Sequence, residues 1–388
     1  MILFLNIAFT VSILGLTLGL IWYVSFRLRV LFGWARRWPL RIVIAVVFMS
    51  SLFIMFSGAR FTSPLLGAVS IAGGYVFSFI VFLTLLLLAL HAVQWKWRLS
   101  RKWTALIALA PALSMTVSGA LKANHFGVSE IEIPLDGLKQ DVVLMHIPDV
   151  HIGHHRGRDY LAKIVSETNR RKPDIVLING DLVDSNVALL SGVLSPLADF
   201  EAPVYFTNGN HEGCVDTRRT FELIEKHGVR ILHNDVVDTH GMYLVGLDYM
   251  NPDEHTFDMH PSEDKRTIKE VLPIIPLKDD QPSVLIHHSP VGLRYVTAKG
   301  IDLMLSGHTH AGQMFPGTIL APLFFPLVKG LHVRGGTYFF VSQGAGTYGP
   351  RMRLGSSNEI NLIRFGRVHG GPVHRLEHQP GLPAGAGL

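Results

Sequence analysis

The sequence predicts an α-helical membrane bundle followed by a soluble α/β domain, and three observations predict it. Residues before about Asn124 are overwhelmingly apolar and contain four runs long enough to cross a bilayer, which takes roughly 20 residues. Beyond that point short apolar runs alternate with polar helical stretches and Gly/Pro turns, the pattern of strand–helix units. Five of those apolar runs end in carboxylate, amide or imidazole side chains.

The four apolar runs are approximately residues 2–25, 39–56, 65–93 and 103–121. The first lacks the basic start of a cleavable signal peptide and reads as a span. The fourth contains Pro111, Ser114, Thr116 and Ser118, so a span and a re-entrant or buried helix both stay open there. Arg27, Arg29, Arg36, Arg37 and Arg41 follow the first run, and Lys96, Arg98, Arg101 and Lys102 follow the third, whereas the intervening loop holds only Arg60. The positive-inside rule therefore places the first and third loops in the cytoplasm and everything after the fourth span outside. Trp34, Trp38, Trp95, Trp97 and Trp103 lie at the expected cytoplasmic boundary. No acidic residue lies in any run, which argues for an anchor and against an ion path. The expected localisation is thus a multi-pass cell-membrane protein with an extracytoplasmic domain.

The chain has 388 residues and a formal net charge of +5, a mean hydropathy of +0.31 and a pI near 9.3. Much of the basic excess belongs to the short loops just described. No Arg/Lys array with interleaved aromatics follows in the soluble part, so no nucleic-acid partner is expected. The single cysteine, Cys214, can form no intramolecular disulfide and reads as a small buried filler.

The expected divisions are residues 1–122 as the anchor, 123–365 as the catalytic domain and 366–388 as a disordered Gly/Pro/His tail. Residues 122–129 read as a linker. The run Val142–Ile147 then ends at Pro148-Asp149-Val150-His151, where residues two apart point to the same side and can share one ion. His154 and His155 read as loop residues. A helix near 159–171 leads into Ile175–Ile178 and Asn179-Gly180-Asp181-Leu182-Val183-Asp184. Val204–Phe206 leads to Asn208-Gly209-Asn210-His211-Glu212, where Asn210 can hold a metal while His211 points at substrate.

A helix near 218–227 and the run 242–248 come next, then an unplaced insertion at 249–282. Val284–Ile286 ends at His287-His288, and the alternation of a finished strand does not choose between the two imidazoles. Ile301–Leu305 ends at Gly307-His308-Thr309-His310. The apolar loop between Gln313 and Gly330, with Phe324 and Phe325, either packs on the core or dips into lipid. Gly344-Ala345-Gly346-Thr347-Tyr348-Gly349 matches G-x-G-x-x-G, but Pro350 and Arg351-Met352-Arg353 follow instead of a helix, which excludes a dinucleotide site.

The ordered set Asp-x-His, Gly-Asp-x-x-Asp, Gly-Asn-His-Glu, His, Gly-His-x-His resembles that of the calcineurin-like metallophosphoesterases over about residues 140–365. It resembles most their bacterial membrane-associated branch, in which Gly307–Gln313 and Gly344–Arg353 also have counterparts. Pro148 departs from the Ser usual there. The resemblance implies a two-layer β-sandwich flanked by helices, with metals at the strand ends. It implies a first metal on Asp149, His151, Asp181 and His310. It implies a second on Asp181, Asn210, His308 and one of His287 and His288, with His288 favoured. Two divalent ions, Mn, Fe or Zn from the oxygen and imidazole donors, are the expected cofactors.

The implied chemistry is metal-bridged hydroxide attack on phosphorus, with Asp181 bridging and His211 acting on the leaving oxygen. Asp184 would orient its neighbours, and Arg351 or Arg353 would bind a phosphate oxygen. The expected partners are a phosphoester, amphiphilic in view of the anchor, and the lipid bilayer. Membrane-associated UDP-2,3-diacylglucosamine hydrolases resemble this chain, but they act on the cytoplasmic face. A non-catalytic metal-binding membrane scaffold is the alternative class.

Overall fold

Strands covered on both faces read as unbroken apolar runs, and the second half of the chain is built from such strands. The structure is a computed structural model that describes residues 2–33, 41–42, 44–46, 49, 61–97, 99–252, 262, 264–278 and 280–366. The chain divides into two compact units that change over between Leu121 and Lys122, with 59–64 grouping with the second unit and 349–352 with the first.

The first unit contains helices α1 (Ile2–Phe32), α2 (Pro64–Lys96) and α3 (Arg101–Lys122). Pro64–Gln94 and Arg101–Lys122 are long and apolar enough to cross a membrane by length and composition. Most of the second expected span lies outside the described residues, as do the expected tail from 367 onward and much of the insertion at 253–261.

The second unit holds two six-stranded mixed sheets. The first runs β1 (Phe126–Pro134), β12 (Asn358–Gly366), β2 (Val142–Ile147), β3 (Ile175–Asn179), β4 (Val204–Thr207), β5 (Arg230–Ile231). The second runs β10 (Gly330–Arg334), β11 (Thr337–Val341), β9 (Leu303–Ser306), β8 (Ser283–Ile286), β7 (Met242–Gly246), β6 (Asp235–Thr239). Within them β2, β3 and β4 are parallel neighbours, as are β7, β8 and β9.

Alternation along β2 shows how the layers form. Val142 and Leu144 enter the core shared with Val284, Ile286, Leu303 and Leu305 of the other sheet. Met145 and Ile147 point outward, against Leu161, Ile164 and Val165 of α4 (Arg158–Arg171) and Ile224 of α5 (Thr217–Lys226). Asp216 caps α5, its side chain accepting from the Arg219 N–H at 3.1 Å. The outer face of the second sheet is closed by Ile268 and Val271 of α6 (Ile268–Val271) and Leu293 and Val296 of α7 (Leu293–Ala298). Each large apolar side chain so buried contributes about 1.5–3 kcal/mol relative to exposure. The expected two-layer β-sandwich flanked by helices is therefore present.

One boundary differs. The expected linker at 122–129 is strand from Phe126 onward, paired in parallel with β12. Its Gly127, Ser129, Glu130 and Glu132 weaken the apolar signal, although five of its nine residues are buried.

Candidate metal centre

Parallel neighbouring strands bring their C-terminal ends to one side, and the ligand-bearing motifs sit just beyond those ends. Asp149 and His151 follow β2, Asp181 follows β3, Asn210 and His211 follow β4, His288 follows β8, and His308 and His310 follow β9. All eight side chains are buried.

The loops that carry them are held in an uncommon backbone conformation. Asp149 (φ 57°), His151 (φ 54°), Asp181 (φ 53°), His308 (φ 69°) and His310 (φ 48°) all adopt the left-handed region, which residues other than glycine seldom enter. Such strain concentrates at functional sites and persists where surrounding bonds over-determine it. Here they do. The His151 N–H donates to the Asp181 carbonyl at 2.9 Å, and the Gly307 N–H to the His288 carbonyl at 2.8 Å. The Asp149 carboxylate accepts the His308 N–H at 3.0 Å, and Asp181 Oδ1 accepts the His211 N–H at 2.9 Å.

Glycine is required where loops touch. A Cβ on Gly209 would lie 2.6 Å from the Asp181 nitrogen and nearer still to its carboxylate.

Three candidate ligand groups result, two of them built from the expected metal ligands. Asp149, His151 and His310 form one, and Asp181, His288 and His308 the other. Asp181 Oδ2 lies 3.2 Å from His288 Nε2 and 3.7 Å from His151 Nε2, between the two. His288 joins a group and His287 does not; His287 instead faces the Ser289 carbonyl through Nδ1 at 2.7 Å and stacks on Tyr249. His288 Nδ1 donates to the Asn179 carbonyl at 2.9 Å, which leaves Nε2 for the centre.

The residues fit a pair of cations. Asn210 Oδ1 is buried with no hydrogen-bond partner among the described residues, a placement costly unless a cation or water completes it. His151 and His310 bring their Nε2 atoms within 3.0 Å of each other, as two imidazoles do around one ion. Asp149, Asp181 and Glu212 are buried together, and charge so desolvated needs a positive partner. Burial pushes the Asp149 carboxyl up. Burial acts the same way on Asp181, but His288 and His211 outweigh it and hold that carboxyl well below its usual range.

His211 and Asp184 form the third group, with His151. His211 Nδ1 faces Asp184 Oδ1 at 3.0 Å, while Nε2 lies 4.0 Å from Asp181 Oδ2. Burial works against the His211 imidazolium, yet Asp181 and Asp184 outweigh it and lift it to about 9.

Three residues of the site carry no expected role in the sequence. Glu212, fully buried, accepts the backbone N–H groups of Asp181 (2.9 Å), Val183 (3.2 Å) and Gly209 (2.7 Å), and so ties the β3 loop to the β4 loop. Its position in the Gly-Asn-His-Glu motif was the available signal. Tyr348 packs edge-on against His211 at 4.7 Å. Gln313 fixes Tyr348 through both backbone groups, at 2.8 Å each, which explains why the two late motifs occur together.

Two expectations are corrected. Arg353 is not an open cation at the cleft: it is fully buried, and its guanidinium donates to the carbonyls of His310 (2.7 Å), Gln343 (2.6 Å) and Gly346 (2.6 Å) and to Asn358 Oδ1 (2.7 Å). It holds the His310 loop from behind. Cys214 is exposed, not a buried filler, because the turn after His211 carries it to the surface. Arg351 is half-buried and groups with the first unit. His154 and His155 join none of the ligand groups.

Two facing sheets with oxygen and imidazole ligands at their strand ends define an α/β protein of the metal-binding kind. Comparison narrows the class: residues 142–312 match the family model of the calcineurin-like phosphoesterases. An uncharacterised metallophosphoesterase of Campylobacter jejuni is 32% identical over 255 residues, 64% of this chain and 65% of that one. A transmembrane protein with metallophosphoesterase domain from Danio rerio is 33% identical over 252 residues, 61% of this chain and 56% of that one. The chain spans between 56% and 65% of the length of these relatives. It carries a metallophosphoesterase domain of the calcineurin-like superfamily.

Proposed function

We propose that this chain is a membrane-anchored phosphoesterase that works with two divalent cations. The observation that carries the reading is the placement of Asp181 Oδ2 between the two ligand groups, with Asn210 Oδ1 buried beside them and unmatched. Asp149, His151, Asp181 and His310 would hold one ion, and Asp181, Asn210, His288 and His308 the other. Mn, Fe or Zn suits these donors. When bound, such a pair supplies a water acidified toward neutral pH and positive charge against phosphoryl oxygens.

The chain's own residues do the rest. Asp184 holds His211 through Nδ1, which leaves Nε2 to donate a proton to the departing oxygen. Tyr348 covers the edge of that imidazole and limits its rotation. Arg351 is the remaining arginine for a phosphate oxygen.

Anchoring rests on the two apolar helices, the apolar runs before them and the transmembrane relative. The uneven distribution of arginine and lysine between the early loops supports four spans with the domain outside. An amphiphilic phosphoester fits such a placement. The test is turnover of a soluble phosphodiester, a soluble monoester and a lipid pyrophosphate by the detergent-purified chain with added Mn, beside Asp181→Ala. Hydrolysis of any of these that is lost in Asp181→Ala is the expected result. Metal uptake without turnover of any of them would favour the scaffold instead.

A further inference from the structure

Among the described residues after Lys122, seven large apolar side chains are exposed, and five of them lie between 319 and 333. Ile319 is 66% exposed and Leu323 76%, with Leu320, Phe324 and Val333 beside them in sequence. They occupy α8 (Gly317–Leu320), the turn after it and β10. Exposed apolar residues gathered in this way mark an interaction surface, whereas scattered ones need no explanation.

The charge on the same segment has one sign. Between Gln313 and Tyr338 there is no carboxylate, and Lys329 and Arg334 are both exposed. Apolar side chains interspersed with Lys and Arg are the composition of an element lying in the headgroup region of an anionic bilayer.

One further contact connects this segment to the candidate metal centre. The Phe325 ring packs edge-on against His308 at 5.5 Å. The exposed segment therefore adjoins a predicted metal ligand.

We propose that the α8–β10 face seats the second unit on the surface of an anionic bilayer, with Ile319 and Leu323 inserted among the lipids and Lys329 and Arg334 at the phosphates. Resting on the phosphoesterase reading, the same geometry makes the substrate class a phosphoester drawn from the bilayer, because Phe325 joins the seated face to the His308 side of the centre.

The seating is read without any turnover, so its failure and that of the phosphoesterase reading are distinguishable. Full-length protein carrying Cys214→Ser receives Leu323→Cys, Ile319→Cys or Leu190→Cys. Each is labelled with an environment-sensitive fluorophore and reconstituted into phosphatidylglycerol vesicles containing spin-labelled lipid. The label at 323 or 319 is expected to shift to the blue and to be quenched several-fold more than the label at 190. In phosphatidylcholine vesicles that excess quenching should shrink. Equal quenching at 323, 319 and 190 would overturn the proposal, and so would a blue shift without lipid quenching, which marks a protein partner. A second arm tests the substrate class: Leu323→Asp should raise KM several-fold for a vesicle-embedded phosphoester and leave turnover of a soluble ester unchanged. An equal effect on both would overturn that part.

Discussion

His211 Nδ1 lies 3.0 Å from Asp184 Oδ1, and the same carboxylate oxygen lies 3.6 Å from His151 Nδ1. One carboxylate thus faces both the proposed proton donor and a proposed metal ligand. Burial raises the Asp184 carboxyl, but His151 and His211 more than reverse this, so the group stays ionised.

Asp184→Asn should therefore lower kcat by about 10–100-fold, the usual effect of losing a partner that orients a ligand. The leaving group gives the sharper readout. A nitrophenyl ester, whose leaving oxygen needs little help from a proton, should lose less than an alkyl ester. Equal losses for the two would remove the proton-holding role from His211 and Asp184.

Glu212→Ala strands three buried N–H donors, and each unmatched donor costs about 1–3 kcal/mol. The variant should unfold several degrees lower and bind metal more weakly, because the Asp181 and Asn210 loops lose their common acceptor. Thermal unfolding with and without added Mn measures both effects. An unchanged midpoint would show that the loops are held by other bonds.

Gly209→Ala should abolish high-affinity metal binding while the fold persists, since the new Cβ meets Asp181 on both its backbone and its carboxylate. Gly157→Ala, where an added Cβ meets nothing within 4 Å, is the control and should leave metal binding unchanged. Metal titration of the two variants side by side decides it.

A pH effect is expected away from the centre. His233 Nδ1 lies 3.0 Å from Asp248 Oδ1, and the bond raises the imidazole above its ordinary value of 6.5. A raised folded value means that the pair stabilises fully below about pH 6.5 and that the contribution fades as pH rises through the folded value. The stability difference between wild type and His233→Gln should thus be larger at pH 6 than at pH 9. A difference that grows with pH would reverse the sign and contradict the pairing.

The fold and the clustering of the candidate ligands are unusually legible in this chain, for a physical reason. Strands buried on both faces show as plain apolar runs, and a metal ligand must be one of a few residue types at a strand end. The edge strand β1 is harder to see because Gly127, Ser129, Glu130 and Glu132 interrupt its apolar run. Arg353 shows a different limit: in the sequence it reads as a cation for a phosphate oxygen, and only the folded chain shows its full burial and its carbonyl partners. Between His287 and His288 the sequence leaves a choice that the Asn179 carbonyl makes, a contact 109 residues away in the chain. Glu212 and Tyr348 likewise act through neighbours brought close only by folding.

Asp181 would serve both ions of a two-metal centre, and counting metal in the purified full-length chain tests that role most directly. After saturation with Mn and removal of free ion, wild type should retain two equivalents, and Asp181→Ala distinctly fewer while keeping its secondary structure. Two equivalents in both proteins, or none in the wild type, would contradict the account.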